Sequence, residues 1–443
     1  MLTLRGYKIP KKDIPNLNQL KALLTVKPYV PSVFVKPQFV SKYPVFLETE
    51  TDMYVPKHYG IQTYGDFKET QRDVLKTDEK YWEFAGILRP VQKEVVKSYN
   101  RDGILSLQTG GGKTVCALYI ASTLQFPTLV LVHNTFLRDQ WIDRIKEFLP
   151  KARIGSVQGE IIDMKEKDII VAMLQSVSMK NYSPDLFQNI GLTIVDECHH
   201  IASEAFSRAI PKLTCKHMLG LSATPERKDK LMHVINWFLG PLLYKSDTAD
   251  KIDEKVRVEY YEFNPEHESF NEIIYNNSGV MFTTLMINKV VDYQPRNKML
   301  VELLSDVYEE KERQILVLTD RVEHTKTILE MLPSDIQKNA CILGREVKSA
   351  QRAEWCESKR ILIATYTMCK EGFDVATLNT LVLATSRPDV DQIVGRILRV
   401  DKTKRKIHPL IMDVVDPAFR RQFQTRLALY KSRNYEIQKM SLL

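Results

Sequence analysis

The stretch GILSLQTGGGKT, residues 103–114, determines how the first half of the chain is expected to fold. Residues 103–107 form a short run rich in Ile and Leu, which is typical of a strand buried on both faces of a sheet. Three consecutive glycines follow, and residues 115–124, after Lys113 and Thr114, favour a helix. The stretch therefore predicts a strand, a tight glycine turn and a helix start in direct succession.

A strand, a glycine turn and a helix start are the setting of a phosphate-binding loop. Glycines permit positive φ and let backbone N–H groups point inward, and the helix N-terminus adds the positive end of its dipole. In such a loop Lys113 would reach the β- and γ-phosphates of ATP, and the Thr114 hydroxyl would ligate Mg²⁺. The strict pattern has glycine at the position of Leu107, so the match departs there. The predicted ATP-binding residues of the loop are Leu107, Gln108, Thr109, Gly110, Gly111, Gly112, Lys113 and Thr114.

Short apolar runs like the one at 103–107 recur along the chain, separated by helix-compatible stretches. One set comprises residues 103–107, 128–132, 168–173, 192–195 and 217–221, and the other comprises residues 314–318, 340–343, 361–365, 380–383 and 409–415. Alternation of strand and helix predicts right-handed βαβ units and therefore parallel sheets. Two α/β domains are the simplest interpretation of the two sets.

The remaining segments set the expected domain boundaries. The first 60 residues hold 7 of the 20 prolines, with 9 basic and 4 acidic residues. Because proline removes a backbone donor, this part is predicted to be a small α+β accessory domain, with a helix at 18–24 and strands at 32–35 and 43–47. It would either bind DNA or serve as a structural cap. The expected domains are 1–85 (accessory), 86–245 (first α/β domain), 246–295 (linker or irregular insert) and 296–443 (second α/β domain).

The overall composition excludes several classes of protein. The 443 residues are 44% hydrophobic and 27% charged, the balance of a globular protein rather than a disordered one. No apolar run approaches the roughly 18 residues of a membrane span, and the N-terminus lacks an apolar signal core. We therefore expect a cytoplasmic protein that is neither secreted nor bound to a membrane. Six cysteines without a CxxC pair argue against a disulfide framework or a zinc site, and a net charge of +8 permits a polyanionic partner.

Two acidic residues follow the predicted strand at 192–195, in the order Asp196-Glu197-Cys198-His199. Parallel sheets place their chemistry at the carboxyl ends of strands. Asp196 would hold Mg²⁺, and Glu197 would orient and deprotonate an attacking water. Adjacent acids after a strand are also common helix N-caps. Together with the phosphate loop, however, they predict a site for ATP hydrolysis.

A basic segment, QIVGRILR at residues 392–399, follows the second set of strands. Gln392, Arg396 and Arg399 are spaced at i, i+4 and i+7, which places them on one face of a helix. One interpretation is a solvated basic stripe. In the other, Arg396 and Arg399 stabilise charge on the γ-phosphate during hydrolysis, for which a planar guanidinium is suited.

In this order the segments resemble the motifs of a superfamily-two helicase of the DExH type, over residues 86–420. Within it the chain is most similar to the XPB-like branch and to phage UvsW-type helicases, which act on branched DNA. The similar segments are residues 88–92, 107–114, 129–141, 174–178, 196–199, 222–224, 314–324, 363–374 and 392–399. The resemblance implies two tandem RecA-like parallel-sheet domains preceded by the small α+β domain.

The resemblance also implies roles for individual residues. Arg89, Gln92, Gly372 and Asp374 would join the loop in binding ATP. Catalysis would fall to Lys113, Asp196, Glu197, Gln392, Arg396 and Arg399, with Mg²⁺ on Thr114 and Asp196. Ser222, Ala223 and Thr224 would couple hydrolysis to movement. Nucleic acid would contact Thr135, Arg138, Gln175, Arg321 and Thr365.

The expected function is an ATP-dependent DNA helicase or translocase that unwinds or remodels duplexes, forks and junctions in replication, recombination or repair. Its partners would be single-stranded, duplex and branched DNA, and the protein would act as a monomer in the cytoplasm, or in that of the host for a phage or viral protein. Two alternatives remain open at this point. The first is an RNA helicase or transcript-release factor, and the second is a nucleotide-switched binding module that never unwinds.

Overall fold

The computed structural model describes the chain in fourteen stretches, which support two compact units, Met1–Asp247 and Thr248–Leu443. The described residues are 1–29, 40–67, 82–108, 110–183, 185–200, 203–223, 230–246, 255–265, 268–276, 279–344, 346–370, 375, 377–398 and 405–441.

The first unit begins with short antiparallel strands. Their bounds are β1 Leu2–Thr3, β2 Gly6–Pro10, β3 Thr25–Val26, β4 Tyr43–Pro44, β5 Leu47–Glu48 and β6 Asp52–Val55. Within the described residues they form a sheet in the order β1-β2-β6-β5 and a separate β3-β4 pair. The helix predicted at 18–24 is present at Leu17–Leu23, where the Asn16 side chain accepts a hydrogen bond from the Gln19 backbone. The strand predicted at 32–35 lies outside the described residues.

An eight-stranded sheet dominates the described part of the first unit, in the order β10-β9-β11-β8-β12-β13-β7-β14. Its strands are β7 Gly103–Ser106, β8 Thr128–Val132, β9 Ile154–Gln158, β10 Ile161–Asp163, β11 Ile169–Met173, β12 Leu192–Val195, β13 His217–Ser222 and β14 Leu242–Lys245. All neighbouring pairs are parallel except β9 with β10. The order brings the ends of β12, β13 and β7 side by side, which is where the predicted motifs lie.

Helices cover this sheet and connect its strands. Their bounds are α1 Leu17–Leu23, α2 Lys57–Tyr64, α3 Pro90–Ser98, α4 Lys113–Leu124, α5 Thr135–Phe148, α6 Leu174–Met179, α7 Glu204–Ala209 and α8 Met232–Leu239. Proline opens α3, where the missing N–H has no intrahelical acceptor to lose. The Asn134 side chain caps α5 by accepting a hydrogen bond of 2.8 Å from the Leu137 backbone.

The N-terminal part packs directly on the large sheet. The buried Lys57 ammonium donates hydrogen bonds to Asp102 Oδ2 at 2.6 Å and to the Cys215 and Lys216 carbonyls at 3.1 and 2.7 Å. The rings of Tyr59 and Trp237 lie 5.3 Å apart, edge to face. One continuous hydrophobic core joins the N-terminal strands to α8 and to β8. This continuity agrees with the structural-cap alternative.

The second unit contains a sheet whose neighbouring strands are all parallel in the described residues, in the order β17-β18-β16-β19-β20-β15-β21. Its strands are β15 Arg257–Glu262, β16 Ile315–Thr319, β17 Ala340–Leu343, β18 Ile361–Thr365, β19 Thr380–Leu383, β20 Leu410–Val415 and β21 Glu436–Met440. The helices are α9 Thr283–Val291, α10 Gln294–Tyr308, α11 Val322–Met331, α12 Ser334–Gln337, α13 Ser349–Ser358, α14 Tyr366–Lys370, α15 Asp391–Val394 and α16 Arg420–Ser432. The predicted α/β class with two parallel sheets is confirmed.

The segment 246–295, expected to be a linker or irregular insert, contains regular structure in its described part, since β15, α9 and the start of α10 lie within it. Arg257–Glu262 is an interior strand, paired with β20 on one side and β21 on the other. Its sequence, RVEYYE, looks polar because it contains three charged residues. In the folded strand two of them, Arg257 and Glu259, form an ion pair of 2.8 Å. The partner β21 lies more than 170 residues further along the chain, so no local pattern indicated this pairing. None of the described helices is long and apolar enough to cross a membrane.

Candidate active site

The phosphate loop follows β7 as predicted, and α4 begins at Lys113. Gly110 and Gly112 have φ of +81° and +86°, in the left-handed region that favours glycine. Leu107 is buried in the core below the loop, which accounts for an apolar residue where the strict pattern has glycine. The Lys113 ammonium lies 3.7 Å from Glu197 Oε1. Thr109 is outside the described residues, and Thr114 is the second residue of α4.

Arg89 and Gln92 lie against the loop, as expected for residues of one nucleotide site. Arg89 Nη2 donates to the Gly110 carbonyl at 3.2 Å, and Gln92 Nε2 donates to the Gly111 carbonyl at 3.4 Å. Gln92 Oε1 accepts the Arg89 backbone N–H at 2.9 Å. A Cβ atom on Gly112 would lie 2.1 Å from Gln92 Nε2, so even alanine would displace that side chain. The φ of +86° is therefore the main reason for glycine at 112, and a side chain there would also displace Gln92 from the loop.

Asp196 follows β12 and is buried. Trp141 Nε1, on α5, donates a hydrogen bond of 2.8 Å to Asp196 Oδ2. Burial and the neighbouring Glu197 charge raise the pKa of Asp196 to about 6. The sequence predicted no role for Trp141, because a tryptophan on an amphipathic helix is usually a core residue. Only the fold shows which carboxylate its indole reaches.

Glu197 has a φ of +46°, an uncommon value for a residue with a side chain. Its backbone N–H donates to Asp196 Oδ1 at 2.9 Å. Its carboxylate lies between two partners, Lys113 Nζ at 3.7 Å and His199 Nδ1 at 3.2 Å. This backbone geometry directs the carboxylate towards the phosphate loop, where a general base for water would be needed.

His199 and Ser222 connect the ends of β12 and β13. His199 Nδ1 lies 3.2 Å from Ser222 Oγ, and the Ser222 carbonyl accepts the Leu107 backbone N–H at 3.1 Å. Ala223 follows, and Thr224 is outside the described residues. Burial raises the pKa of the adjacent Cys198 thiol, so this group is not an activated nucleophile. A displacement at the Asp196–Glu197 segment would reach Ser222 and the phosphate loop through these bonds.

Oxygen donors suitable for Mg²⁺ are present here. Asp196 supplies a carboxylate and Thr114 a hydroxyl, the hard ligands that Mg²⁺ prefers. Among the described residues there is no cluster of three or more His, Cys, Asp and Glu side chains able to hold a metal.

The basic segment of the second unit differs in shape from the prediction. Gln392 lies on α15, but α15 ends at Val394, and residues 395–398 form a turn. The prediction of one continuous helix from Gln392 to Arg399 is therefore wrong at residues 395–398. Arg399 itself lies outside the described residues. Arg396 is only 7% exposed, and within the described chain its Nε and Nη1 have no hydrogen-bond partner. Gly372 and Asp374 are also outside the described residues.

The expected nucleic-acid contacts are distributed over both units. Thr135 opens α5, and Arg138 on the same helix is bonded to Asp139 and Gln158. Gln175 Nε2 donates to the His133 carbonyl at 2.6 Å. Arg321 is tied to α9 through Asn288 Oδ1 at 2.8 Å and the Thr284 carbonyl at 3.2 Å. Thr365 ends β18 and accepts the Met368 backbone N–H at 3.3 Å. Their contact with nucleic acid stays a prediction.

Comparison with known sequences identifies relatives along nearly the whole chain. Residues 68–227, which include the phosphate loop and Asp196, match the family described as "Type III restriction enzyme, res subunit". The chain is 30% identical to "Putative ATP-dependent RNA helicase L396" of Acanthamoeba polyphaga mimivirus, covering 99% of this chain and 86% of the relative. It is also 30% identical to "Putative helicase 055L" of Frog virus 3, covering 80% of this chain and 79% of that protein.

The structure of yeast Dbp5 shows a similar architecture. Yeast Dbp5 bound to RNA and ADP BeF3 aligns with a TM-score of 0.55 and 15% identity, covering 80% of this chain and 90% of Dbp5. At this identity the similarity concerns the fold alone, and it agrees with the predicted RecA-like domains. T4 UvsW aligns over 96% of both chains with 17% identity and a TM-score of 0.36, which is too low to support a conclusion about the fold.

Proposed function

This chain belongs to the family of viral helicases that includes the mimivirus relative, and we propose that it is an active ATP-hydrolysing enzyme. We propose that the first unit hydrolyses ATP at the phosphate loop and that the protein uses this reaction to unwind or remodel duplex nucleic acid. The observation that carries the proposal is the convergence of Lys113, Asp196 and Glu197. Lys113 opens α4 with its Nζ 3.7 Å from Glu197 Oε1, and Asp196 follows β12 with its Oδ1 accepting the Glu197 backbone N–H at 2.9 Å.

Each residue of this group has a distinct task. Lys113 and the loop N–H groups hold the phosphates, while Asp196 and Thr114 hold the Mg²⁺ ion, which neutralises phosphate charge when bound. Glu197 orients water and accepts its proton. Nucleotide binding withdraws Lys113 from Glu197, because phosphate oxygens compete for the same ammonium. The base is thereby released for catalysis.

Arg396, on the second unit, is proposed to pair with phosphate oxygens. A guanidinium that is buried without partners is costly unless a ligand completes its hydrogen bonds. Phosphate oxygens are the acceptors that a planar guanidinium pairs with best. Gln392 and Arg399 stay with Arg396 in the proposed catalytic set, on the sequence argument.

DNA is the proposed substrate, in single-stranded, duplex and branched form, with a monomer as the active species. Contacts from Arg138, Gln175 and Arg321 would be mostly to phosphates and largely independent of base sequence. RNA is a second candidate, because the mimivirus relative is named "Putative ATP-dependent RNA helicase L396". Both polymers present the same backbone charge, so these contacts suit either of them.

The deciding experiment compares ATP turnover and strand displacement on matched DNA and RNA substrates. The set contains a linear duplex with one single-stranded tail, a fork and a four-way junction in DNA, and the tailed duplex in RNA. The proposal expects ATP-dependent displacement, greatest on forked and four-way DNA. Displacement confined to RNA would favour the second candidate. Nucleotide binding without turnover on any polymer would indicate a binding module instead.

A further inference from the structure

The outer face of α16, in the second unit, carries positive charge and no negative charge. The sequence of this helix, RRQFQTRLALYKS, has four basic residues and no acidic one. Phe423, Arg426 and Tyr430 are buried on its inner face, at i, i+3 and i+7. The remaining positions form a solvent-facing stripe, which we call the α16 surface. Its exposed residues are Arg420, Arg421, Gln424, Thr425, Ala428, Lys431 and Ser432.

The inner face of α16 is held by a network of buried hydrogen bonds. Arg426 Nε and Nη2 donate to the two carboxylate oxygens of Asp413, on β20, at 2.7 and 2.8 Å. Arg426 Nη1 donates to Ser386 Oγ and to the Arg387 carbonyl, both at 2.8 Å. The Tyr430 hydroxyl donates to Asp413 Oδ2 at 3.0 Å. The exposed side chains therefore project from a rigid helix, so a ligand would not have to order it.

The positive charge of the α16 surface is not neutralised by its own surroundings. Among the described residues, Arg420, Arg421 and Lys431 form no ion pair. The hydrogen bond from Lys439 lowers the pKa of Glu262, and the charge of Arg420 adds to this effect. Four acidic residues beside α16 are paired with other bases, in the pairs Asp413–Arg426, Asp416–Arg296, Glu262–Lys439 and Asp391–Arg433.

The two arginines at the start of α16 are placed unfavourably for an isolated helix. Arg420 and Arg421 are the first two residues of α16. Cations in the first turn oppose the helix dipole, and two adjacent cations also repel each other. An anion bound at this surface would relieve both effects. The arrangement therefore favours a negatively charged ligand.

The composition of the α16 surface suits the backbone of a nucleic-acid duplex. Arg, Lys, Gln, Thr and Ser side chains are the groups that commonly contact phosphates. Residues 420–432 are all described, and none of them is an exposed aromatic. Protein partners are usually anchored by aromatic residues, and single strands by aromatic rings that stack on bases. A duplex stacks its bases internally and presents a continuous row of phosphates.

The α16 surface starts at the edge of the sheet where Arg321, a predicted nucleic-acid contact, also lies. Arg321 follows β16, α16 follows β20, and only β19 separates these parallel strands. Neighbouring strands are about 4.8 Å apart, so the carboxyl ends of β16 and β20 are separated by roughly 10 Å. Lys431 lies about 15 Å beyond Arg421 along the helix axis. The surface therefore leads from this edge along the side of the second unit.

We propose that the α16 surface binds the phosphate backbone of a duplex arm of the substrate, through Arg420, Arg421 and Lys431. The inference rests on the proposed function, because it assumes a substrate with a duplex part. The arm is distinct from the strand that Arg321 and Thr365 are predicted to contact. The contact is independent of base sequence, since phosphates are the same at every step.

The test measures binding of the full chain to blunt DNA and RNA duplexes, without ATP and over a range of salt concentrations. Combining Arg420→Gln, Arg421→Gln and Lys431→Gln should flatten the slope of log K against log salt by about 2.7, or roughly 0.9 for each lost phosphate contact. Affinity for the duplex at physiological salt should fall about 10-fold or more. ATP hydrolysis stimulated by a single strand should be unchanged, because that strand does not use this surface.

Two controls separate the proposed contact from general effects of charge and folding. Lys311→Gln, Lys338→Gln and Lys406→Gln combined remove the same charge from exposed lysines that precede β16, β17 and β20, at the opposite edge of the sheet. This variant should keep most of the wild-type slope. Arg420→Lys with Arg421→Lys keeps the charge and should bind the duplex nearly as wild type does.

Three outcomes would overturn the duplex contact while leaving the helicase proposal intact. The first is an unchanged slope in the triple glutamine variant of α16. The second is an equal flattening by the control lysine variant, which would show an effect of net charge alone. The third is a joint loss of duplex binding and single-strand-stimulated ATPase, which would assign the surface to the tracked strand. Wild-type protein that bound neither duplex nor single strand would contradict the proposed function itself.

Discussion

Trp141 donates a hydrogen bond of 2.8 Å from its indole Nε1 to Oδ2 of Asp196, linking α5 to the carboxylate proposed to hold Mg²⁺. The bond stabilises the ionised form of a buried carboxylate and fixes its orientation. Trp141 is itself buried in the core beside Val130 and Ile194. It therefore acts as a positioning residue that connects the packing of α5 to the site.

Trp141→Phe tests this positioning role. The variant keeps an aromatic ring but loses the N–H donor, so the pKa of Asp196 should rise further above its usual range. The acid limb of the pH profile of kcat/KM for ATP should then move to higher pH, because Mg²⁺ needs the ionised carboxylate. Trp141→Leu is the comparison variant for lost packing. Equal loss of activity at every pH, with no shift of the limb, would mean that the indole only fills space.

Asp196 should also be a source of instability in the protein without nucleotide and Mg²⁺. Its folded pKa of about 6 lies above the usual 3.8, so the protonated carboxyl is favoured in the folded state. Stability from this group is fully present below about pH 4 and is lost as pH rises through about 6, by about 3 kcal/mol at most. Asp196→Asn should therefore raise Tm at pH 8 in EDTA, with a much smaller gain near pH 4. A destabilised variant at pH 8 would contradict this interpretation, and turnover should be lost in either case.

A substitution of Arg396, in the second unit, should affect both protein stability and ATP turnover. Arg396→Met removes a buried guanidinium whose Nε and Nη1 have no hydrogen-bond partner in the described part of the chain, so the folded protein should become more stable. ATP turnover should fall about 10³-fold, the scale of a lost arginine finger. Thermal unfolding and steady-state ATPase on the same samples measure both effects. Arg405→Met, at an arginine outside the proposed catalytic set, is the control. Undiminished turnover by Arg396→Met would remove this residue from the mechanism.

Lys57 tests how the N-terminal part is attached to the large sheet. Lys57→Met leaves Asp102 buried beside His58 Nε2 at 3.2 Å, and should lower the free energy of unfolding by about 3 kcal/mol or more. Although burial alone would raise the pKa of Asp102, the charges of Lys57 and His58 hold it below its usual value. Combining Lys57→Met with Asp102→Leu should recover much of the loss. Urea unfolding measures both variants, and additive losses in the double variant would contradict a coupled pair.

The N-terminal part was expected either to bind DNA or to serve as a structural cap, and three of its lysines are paired with acidic residues of the same part. Lys8 pairs with Asp52 at 3.1 Å, and Lys11 and Lys21 pair with Glu48 at 2.8 and 2.7 Å. Hydrogen bonds and charge from the two lysines lower the pKa of Glu48. The net positive charge counted from the sequence is therefore partly neutralised within this part of the chain.

Local sequence patterns predicted the strands that are buried on both faces, because a short unbroken apolar run is typical of such a strand. Thr128–Val132, Leu192–Val195 and Thr380–Leu383 have the predicted bounds. Strands that mix charges with apolar residues were missed: Arg257–Glu262 depends on pairing with the distant β21. The same distinction holds in the site. The phosphate loop is a contiguous pattern, whereas the hydrogen bond from Trp141 to Asp196 exists only once the chain is folded.

In the proposed mechanism, Lys113 and Glu197 serve ATP hydrolysis, and this hydrolysis drives strand separation. The most direct measurement follows ATP turnover and strand displacement together for wild type, Lys113→Ala and Glu197→Gln on tailed DNA and RNA duplexes. Wild type should show both activities, and Lys113→Ala should lose both while remaining folded. Glu197→Gln should still bind ATP but hydrolyse it roughly 10²-fold or more slowly, with displacement falling in proportion. Displacement that persists in a folded Lys113→Ala protein, or wild-type turnover that no nucleic acid stimulates, would contradict the account.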